Sequence, residues 1–130
     1  MMQVKSYIER PIPAKQVKEL YNHIGWWEER EESDIQRMLE QGISVGAWQG
    51  NELIGFARAV TYGKFRAYIE DVVIHNDYQK SGIGKDLVSF LLEELSHIDV
   101  ISLFCESELI PFYETNSFKH SKKQVVMHRK

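Results

Sequence analysis

The sequence predicts one mixed α/β domain, and three observations predict it. A chain of 130 residues corresponds to a single domain at roughly 150 residues each. Two alternating apolar runs, Ile43 to Gln49 and Glu52 to Thr61, flank Gly50-Asn51, a pair suited to the positive φ angles of a tight antiparallel hairpin. A strand that ends in the continuous apolar run Val72-Val73-Ile74 is followed by a glycine turn, an amphipathic helix and another β run, the pattern of a β-α-β crossover.

The elements follow in order. Residues 3 to 9 read as a strand, and Ala14 to Ile24 as a helix with Pro13 at its first position, where a missing N–H costs nothing. After the Gly25-Trp26-Trp27 break, Ser33 and Gln36 have capping-box spacing, so a second short helix should start there and stop at a left-handed Gly42. The hairpin comes next. Beyond Gly63-Lys64, Ala67 to Ile74 reads as a strand whose apolar end should be buried on both faces, which predicts a central position. A helix from about Ile83 to Ser96 carries Leu87, Leu91 and Leu95 at spacings of four beside Val88 and Leu92, an apolar face that should pack on the sheet. Val100 to Cys105 is a short β run, Glu108 to Thr115 a short helix with Pro111 in its first turns, and Gln124 to His128 a final strand. The order is β-α-α-β-β-β-α-β-α-β. The expected sheet is mixed and mainly antiparallel, of about six to seven strands flanked by about four helices, in one domain over residues 1–130 without repeat or linker.

Composition removes several functions. Sixteen Lys and Arg against nineteen Asp and Glu give a net charge of −3, with no basic stripe for nucleic acid. Hydrophobic residues at 43% and charged residues at 27% match an ordinary globular chain rather than a disordered one. The N-terminal stretch alternates polar and apolar residues, so no export signal is visible, and no segment approaches the roughly 20 apolar residues that span a membrane. The single cysteine, Cys105, excludes a disulfide framework and fits a reduced, cytoplasmic setting. The five histidines lack metal-ligand spacing, and no metal is expected.

The chemistry concentrates in Gln79-Lys80-Ser81-Gly82-Ile83-Gly84-Lys85, between the apolar strand and the amphipathic helix. Glycines there admit a ligand to the backbone, and the N–H groups of a helix start cradle anionic oxygens, so a phosphate or pyrophosphate is the expected ligand. A P-loop would need glycine at 79 and Ser or Thr at 86, where the chain has Gln79 and Asp86; a dinucleotide fingerprint would need a small residue where Leu87 stands. Both fail, and an ordinary helix-start turn stays open beside the cradle.

Asp71-Val72-Val73-Ile74-His75, then Gln79-x-x-Gly82-x-Gly84, then Phe112-Tyr113-Glu114-Thr115-Asn116-Ser117-Phe118 together resemble the GCN5-related N-acetyltransferase (GNAT) superfamily, as a small single-domain bacterial-type member. The resemblance follows the element order of the whole chain and is specific over residues 69 to 118. It implies that the Gln79–Lys85 loop, with Lys80, Ser81 and Ile83, binds the pyrophosphate of acetyl-CoA. It further implies that Val72, Val73 and Ile74 pair with the pantetheine arm like an added strand, an N–H there polarising the thioester carbonyl. Ser117 departs from the glycine usual in this family, so Asn116 or Ser117 must absorb the turn. Glu106 stands where many relatives have asparagine, so that contact is left unassigned.

Acetyl transfer to an amine needs a base for an alkylammonium and an acid for the departing thiolate. The resemblance makes Tyr113 the candidate acid, beside the cofactor sulfur; the competing reading is a core aromatic. Glu70 and Asp71, being adjacent on a strand, should point to opposite faces, so only one can serve as base. Asp71 is preferred, acting through water, with a structural carboxylate equally open. Cys105 is read as a small buried residue rather than a nucleophile. Trp26 and Trp27 fall where this family lines the acceptor cleft and would suit an amine cation, or else cap the core. The acidic run from Glu28 to Asp34 names no substrate. The expected activity is therefore transfer from acetyl-CoA to a primary amine of a small molecule or peptide, directly in a ternary complex. The rivals are a non-catalytic acyl-CoA-binding module, a transferase of longer acyl groups, and a generic phosphate-binding domain. Many relatives dimerise, so a homodimer is admitted, though no stripe identifies an interface.

Overall fold

The computed structural model describes residues 2–130. Its elements are β1 (Met2–Ser6), α1 (Ala14–Ile24), α2 (Glu32–Gln41), β2 (Ile43–Gln49), β3 (Glu52–Thr61), β4 (Arg66–Ile74), α3 (Ile83–Glu94), β5 (Val100–Leu103) and α4 (Ile110–Glu114), with single 3-10 turns at Asn76–Tyr78 and Ser107–Leu109. The sheet runs β1-β2-β3-β4-β5. The first four strands are antiparallel and β5 is parallel to β4, as the meander-plus-crossover reading requires.

Two apolar layers hold the sheet. On one face α1 and α2 bury Val17, Leu20, Tyr21, Ile35 and Leu39 against Trp48, Leu53, Phe56 and Val73. On the other, α3 buries Leu87, Leu91 and Leu95 against Val45, Ile54, Ala57, Ala59 and Ile69. Small residues on β3 let α3 approach, and a Cβ on Gly55 would meet the Ile74 side chain at 3.1 Å. Among the described residues no helix is long and apolar enough to cross a membrane.

Several expectations are corrected. The sheet has five strands rather than six or seven, because Gln124 to His128 forms no strand. The first strand ends at Ser6, where Glu9 folds back to accept from the Ser6 N–H and hydroxyl. Pro13 is the residue before α1 rather than its first residue. Ser33 caps nothing: α2 starts a residue earlier and has no side-chain cap. Gly42 is extended, at φ −112°, and its glycine serves close approach instead, since a Cβ there would lie 3.1 Å from the Ala59 carbonyl oxygen. β4 is penultimate, with β3 in the middle.

A bulge in β4 matters most for the site. Arg58 pairs with Asp71 but the next residue, Ala59, pairs with Ile69, leaving Glu70 as the extra residue. Strict alternation would put positions 67, 69, 71 and 73 on one face. Instead Ala67 and Ile69 pack under α3, whereas Val73 packs under α1 and α2.

Candidate active site

The bulge rewrites the expectation for the two carboxylates. Glu70 and Asp71 do not diverge: Arg58 donates from Nη2 to Glu70 Oε2 at 2.6 Å and from Nε to Asp71 Oδ2 at 2.9 Å. Tyr21 adds a hydroxyl donor to the same Asp71 oxygen at 2.8 Å. Asp71 is 2% exposed, whereas the Glu70 side chain keeps 28% of its surface. Burial alone would lower the Arg58 pKa, but the Asp71 charge, its hydrogen bond and the Glu70 charge outweigh that and raise it. Burial, then the Asp71 charge, pushes the Tyr21 phenol far above its ordinary range. Tyr68, two residues before Glu70, is raised by burial and then by Glu70. Asp71 is thus enclosed by donors, and Glu70 is the carboxylate that solvent reaches.

The strand carrying these groups loses its neighbour midway. β5 pairs only with Arg66 to Ile69, so from Glu70 to Ile74 one edge of β4 faces no strand. Val72 and Ile74 are half-buried toward α3 and Val73 is buried under α1. An unpaired edge presents free backbone donors and acceptors, which an extended ligand can use as a template.

That edge leads into the glycine loop. Gln79 donates its side-chain amide to the Ile74 carbonyl and to Asn76 Oδ1, both at 3.1 Å, so it braces the loop against the strand end. Ser81 closes a turn by donating to the Tyr78 carbonyl. Lys80 and Gly82 are left-handed, at φ 64° and 88°, and the Ser81–Gly82 stretch is exposed. The first backbone bond of α3 is Asp86 N–H to the Gly82 carbonyl, and no side chain caps the helix. The N–H groups of Ile83, Gly84 and Lys85 therefore have no acceptor within the helix, and a Cβ at Gly82 would meet nothing within 4 Å. A pyrophosphate suits this helix start, which offers unpaired N–H donors, Lys80 and Lys85 beside them and no side-chain cap, although Asp86 also lies in the first turn.

α4 packs against the same helix start. A Cβ on Gly84 would lie 3.1 Å from the Phe112 ring, so close approach rather than conformation favours glycine there. Ser89 donates to Asn116 Oδ1 at 2.7 Å, and Ser117, at φ 68°, takes the left-handed turn that the Asn116-Ser117 pair had to absorb. Tyr113 is 9% exposed, held edge-on by Phe112 and Phe118 with centroids 4.9 and 6.0 Å away. Burial, then the neighbouring Cys105, pushes its phenol up to about 12. Tyr113 lines a cavity of about 870 Å3 between β5, α4 and residues 119–127. Cys105 is exposed rather than the small buried residue expected, because it lies in the loop beyond the end of β5; partial desolvation still raises its thiol pKa, which keeps it protonated at neutral pH and a poor nucleophile.

Trp26 and Trp27 are not gathered with these groups. Each is 40% exposed on the α1–α2 loop, and the Arg30 guanidinium already lies 4.0 Å over the Trp27 ring. Lys18 pins the loop by donating to the Arg30 carbonyl. Among the described residues no three His, Cys, Asp or Glu side chains converge as a metal site. Sequence reasoning missed Arg58, Tyr21 and His23. A lone arginine inside Leu53-Ile54-Gly55-Phe56-Ala57-Arg58-Ala59-Val60 was the available signal, since a buried arginine demands buried carboxylates. His23 stacks on His75 at 3.8 Å and accepts from the Asn76 N–H, tying α1 to the loop; nothing local announces that pair.

The acetyltransferase (GNAT) family model matches residues 9–118. An uncharacterized N-acetyltransferase, ycf52, of Porphyra purpurea is 33% identical over 113 residues, covering 82% of this chain and 65% of that protein. The chain thus spans about two thirds of the length of such relatives. A chloroplastic GCN5-related N-acetyltransferase 2 of Arabidopsis thaliana is 41% identical over 73 residues, 55% of this chain and 28% of its own. Among solved structures, a probable acetyltransferase from meticillin-resistant Staphylococcus aureus superposes with TM-score 0.85 at 18% identity, covering 100% of this chain and 99% of the other. A GNAT family protein from Streptococcus pneumoniae gives 0.79 at 21%, with both chains fully covered. With the family model spanning most of the chain and agreeing with the splayed strand and the glycine-loop helix start, this chain belongs to the GNAT acetyltransferase family.

Proposed function

We propose that the chain is an acetyl-CoA-dependent N-acetyltransferase that acetylates the primary amine of a small molecule or peptide by direct transfer in a ternary complex. The observation that carries this reading is the continuous run from the unpaired β4 edge, Glu70 to Ile74, into the bare N–H groups at the start of α3. Acetyl-CoA would supply an activated thioester. Val72, Val73 and Ile74 would hold its extended arm, and Gln79 to Lys85 its pyrophosphate, with Lys80 and Lys85 supplying charge.

Tyr113 keeps its proton across the physiological range, since its phenol is pushed up to about 12. A retained proton suits a group that donates to a leaving thiolate. Of the two carboxylates, Glu70 is the better candidate to take the amine proton, because it is the exposed one; Asp71, capped by Tyr21 and Arg58, positions the guanidinium that orients Glu70. Trp26 and Trp27 stand apart from these groups on the α1–α2 loop, so their place at the acceptor approach rests on the family resemblance alone; a homodimer is compatible with the proposal. A reducing, cytoplasmic setting is part of the same reading and rests on the single Cys105.

The test is acetyl-CoA-dependent release of free CoA thiol across a panel of polyamines, aryl and aralkyl amines, amino sugars, amino acids and peptides. Tyr113→Phe should lower kcat by about 10²-fold, the low end of general acid catalysis, with the acetyl-CoA KM unchanged; an unchanged kcat refutes its role. Glu70→Gln should lower kcat by about 10²-fold, and Asp71→Asn should lower it less; an unchanged kcat in Glu70→Gln refutes its role as base. A second reading, a non-catalytic acyl-CoA-binding module, draws on one observation: both carboxylates are ion-paired to Arg58. It requires cofactor binding with no turnover on any amine.

A further inference from the structure

α1 and the turn after β4 meet through two stacked imidazoles. The His23 and His75 rings lie 3.8 Å apart, centroid to centroid, and 13° from parallel. Each ring also receives a backbone donor from the turn: Asn76 N–H donates to His23 Nε2 at 3.3 Å, and Asp77 N–H donates to His75 Nδ1 at 3.1 Å. A ring nitrogen accepts only while it carries no proton, so these contacts require both imidazoles to be neutral. No other hydrogen bond runs from α1 to that turn among the described residues.

The turn so held is the seat of the glycine loop. Asn76 Oδ1 accepts from the Gln79 amide, which also donates to the Ile74 carbonyl, both at 3.1 Å, and the Ser81 hydroxyl donates to the Tyr78 carbonyl. A displaced Asn76 would therefore disturb the residues on which the exposed Ser81–Gly82 stretch rests.

The two rings differ in what a proton does to them. His75 has the Asp77 carboxylate 3.9 Å from its Nδ1 and the Tyr78 ring edge-on at 5.8 Å, so its cation has a partner to turn to. His23 has none. Glu19, one turn earlier on α1, is exposed and forms no ion pair with it among the described residues. Asp71, under α1, is taken up by Tyr21 and Arg58, and Lys80, further along the loop, carries a like charge. Protonated at Nε2, His23 would set a second donor against the Asn76 N–H, and with both rings charged two cations would face each other at 3.8 Å.

We propose that His23 is a positioning residue for the cofactor: stacked in its neutral form on His75, it clamps α1 to the turn and holds the glycine loop in its binding shape, and a proton on His23 releases the clamp. The role rests on the reading that Gln79 to Lys85 hold acetyl-CoA. Acetyl-CoA affinity is then complete above the imidazole range and falls as pH drops through it.

Two measurements on the full chain test this. In cofactor-free, isotopically labelled protein the Asn76 amide resonance should move with the His23 ring protons between about pH 8 and about pH 5.5. In His23→Gln, whose side-chain oxygen accepts without titrating there, that amide should move far less. By calorimetry over the same interval, the acetyl-CoA Kd should rise about 10-fold more in wild type than in His23→Gln, since titration of the cofactor's own phosphates cancels in the comparison. His23→Phe, which stacks but cannot accept, should weaken binding at the upper pH, and His23→Gln should recover it. An Asn76 amide that ignores the His23 titration overturns the clamp. Equal pH dependence of Kd in wild type and His23→Gln overturns the positioning role while the cofactor reading stands. An Asn76 amide that tracks His23 in a protein binding no acetyl-CoA at the upper pH overturns the cofactor reading and the role with it.

Discussion

Replacing Arg58 with methionine isolates the electrostatics beneath the candidate base. Arg58 is 8% exposed and bridges Asp71 at 2.9 Å and Glu70 at 2.6 Å. Methionine keeps most of the apolar stem, so the loss falls on the charge. Asp71, 2% exposed, would retain only the Tyr21 hydroxyl at 2.8 Å. Stranding one partner of a buried pair costs about 3–5 kcal/mol, a sizeable fraction of the roughly 7–20 kcal/mol that stabilises a chain of this size. Guanidinium denaturation at pH 7 should register it as a lowered midpoint at constant slope. Because the cost comes from an uncompensated carboxylate, Asp71→Asn added to Arg58→Met should restore about 1–3 kcal/mol as a coupling between touching sites. A single-variant loss below about 1 kcal/mol, or a double variant whose losses simply add, would refute the reasoning.

Three further outcomes follow from local geometry. Ser117→Gly should stabilise the protein by about 1 kcal/mol in the same denaturation assay, because Ser117 at φ 68° carries the left-handed penalty that glycine lacks. Gly84→Ala should cost about 1–3 kcal/mol by overpacking, since its Cβ would lie 3.1 Å from the Phe112 ring. Burial pushes the Tyr113 phenol up to about 12 from its ordinary value of 10.0. Its contribution is therefore complete below pH 10 and is lost as pH rises from 10 through 12. Denaturation at pH 9 and pH 11.5 should show wild type losing about 2 kcal/mol more than Tyr113→Phe, and an equal loss would contradict the assignment.

Elements whose cause is local were legible in the sequence. Gly50-Asn51 marked the hairpin because a two-residue turn needs positive φ, and Gly50 has φ 60°. The α3 face was legible because Leu87, Leu91 and Leu95 share one stripe. The glycine loop was legible because chain order alone places it between β4 and α3. What escaped depends on partners distant in sequence. Gly42 looked like a helix stop, yet the Ala59 carbonyl, across the sheet, explains it. The bulge at Glu70 cannot be read from β4, since it is a mismatch with β3, and without it Glu70 and Asp71 seemed to diverge. Gln124 to His128 has the composition of a strand, but a strand exists only when an edge accepts it.

The central claim is that the β4 edge and the α3 start together hold acetyl-CoA. Titrating the cofactor into isotopically labelled protein while following each backbone amide tests it most directly. The account predicts saturable shifts centred on Val72 to Ile74 and Ser81 to Lys85, smaller ones at Gly84's neighbour Phe112, and none at the remote β1–β2 edge. Saturable binding that leaves those two segments unmoved, or no binding at millimolar cofactor, would contradict it.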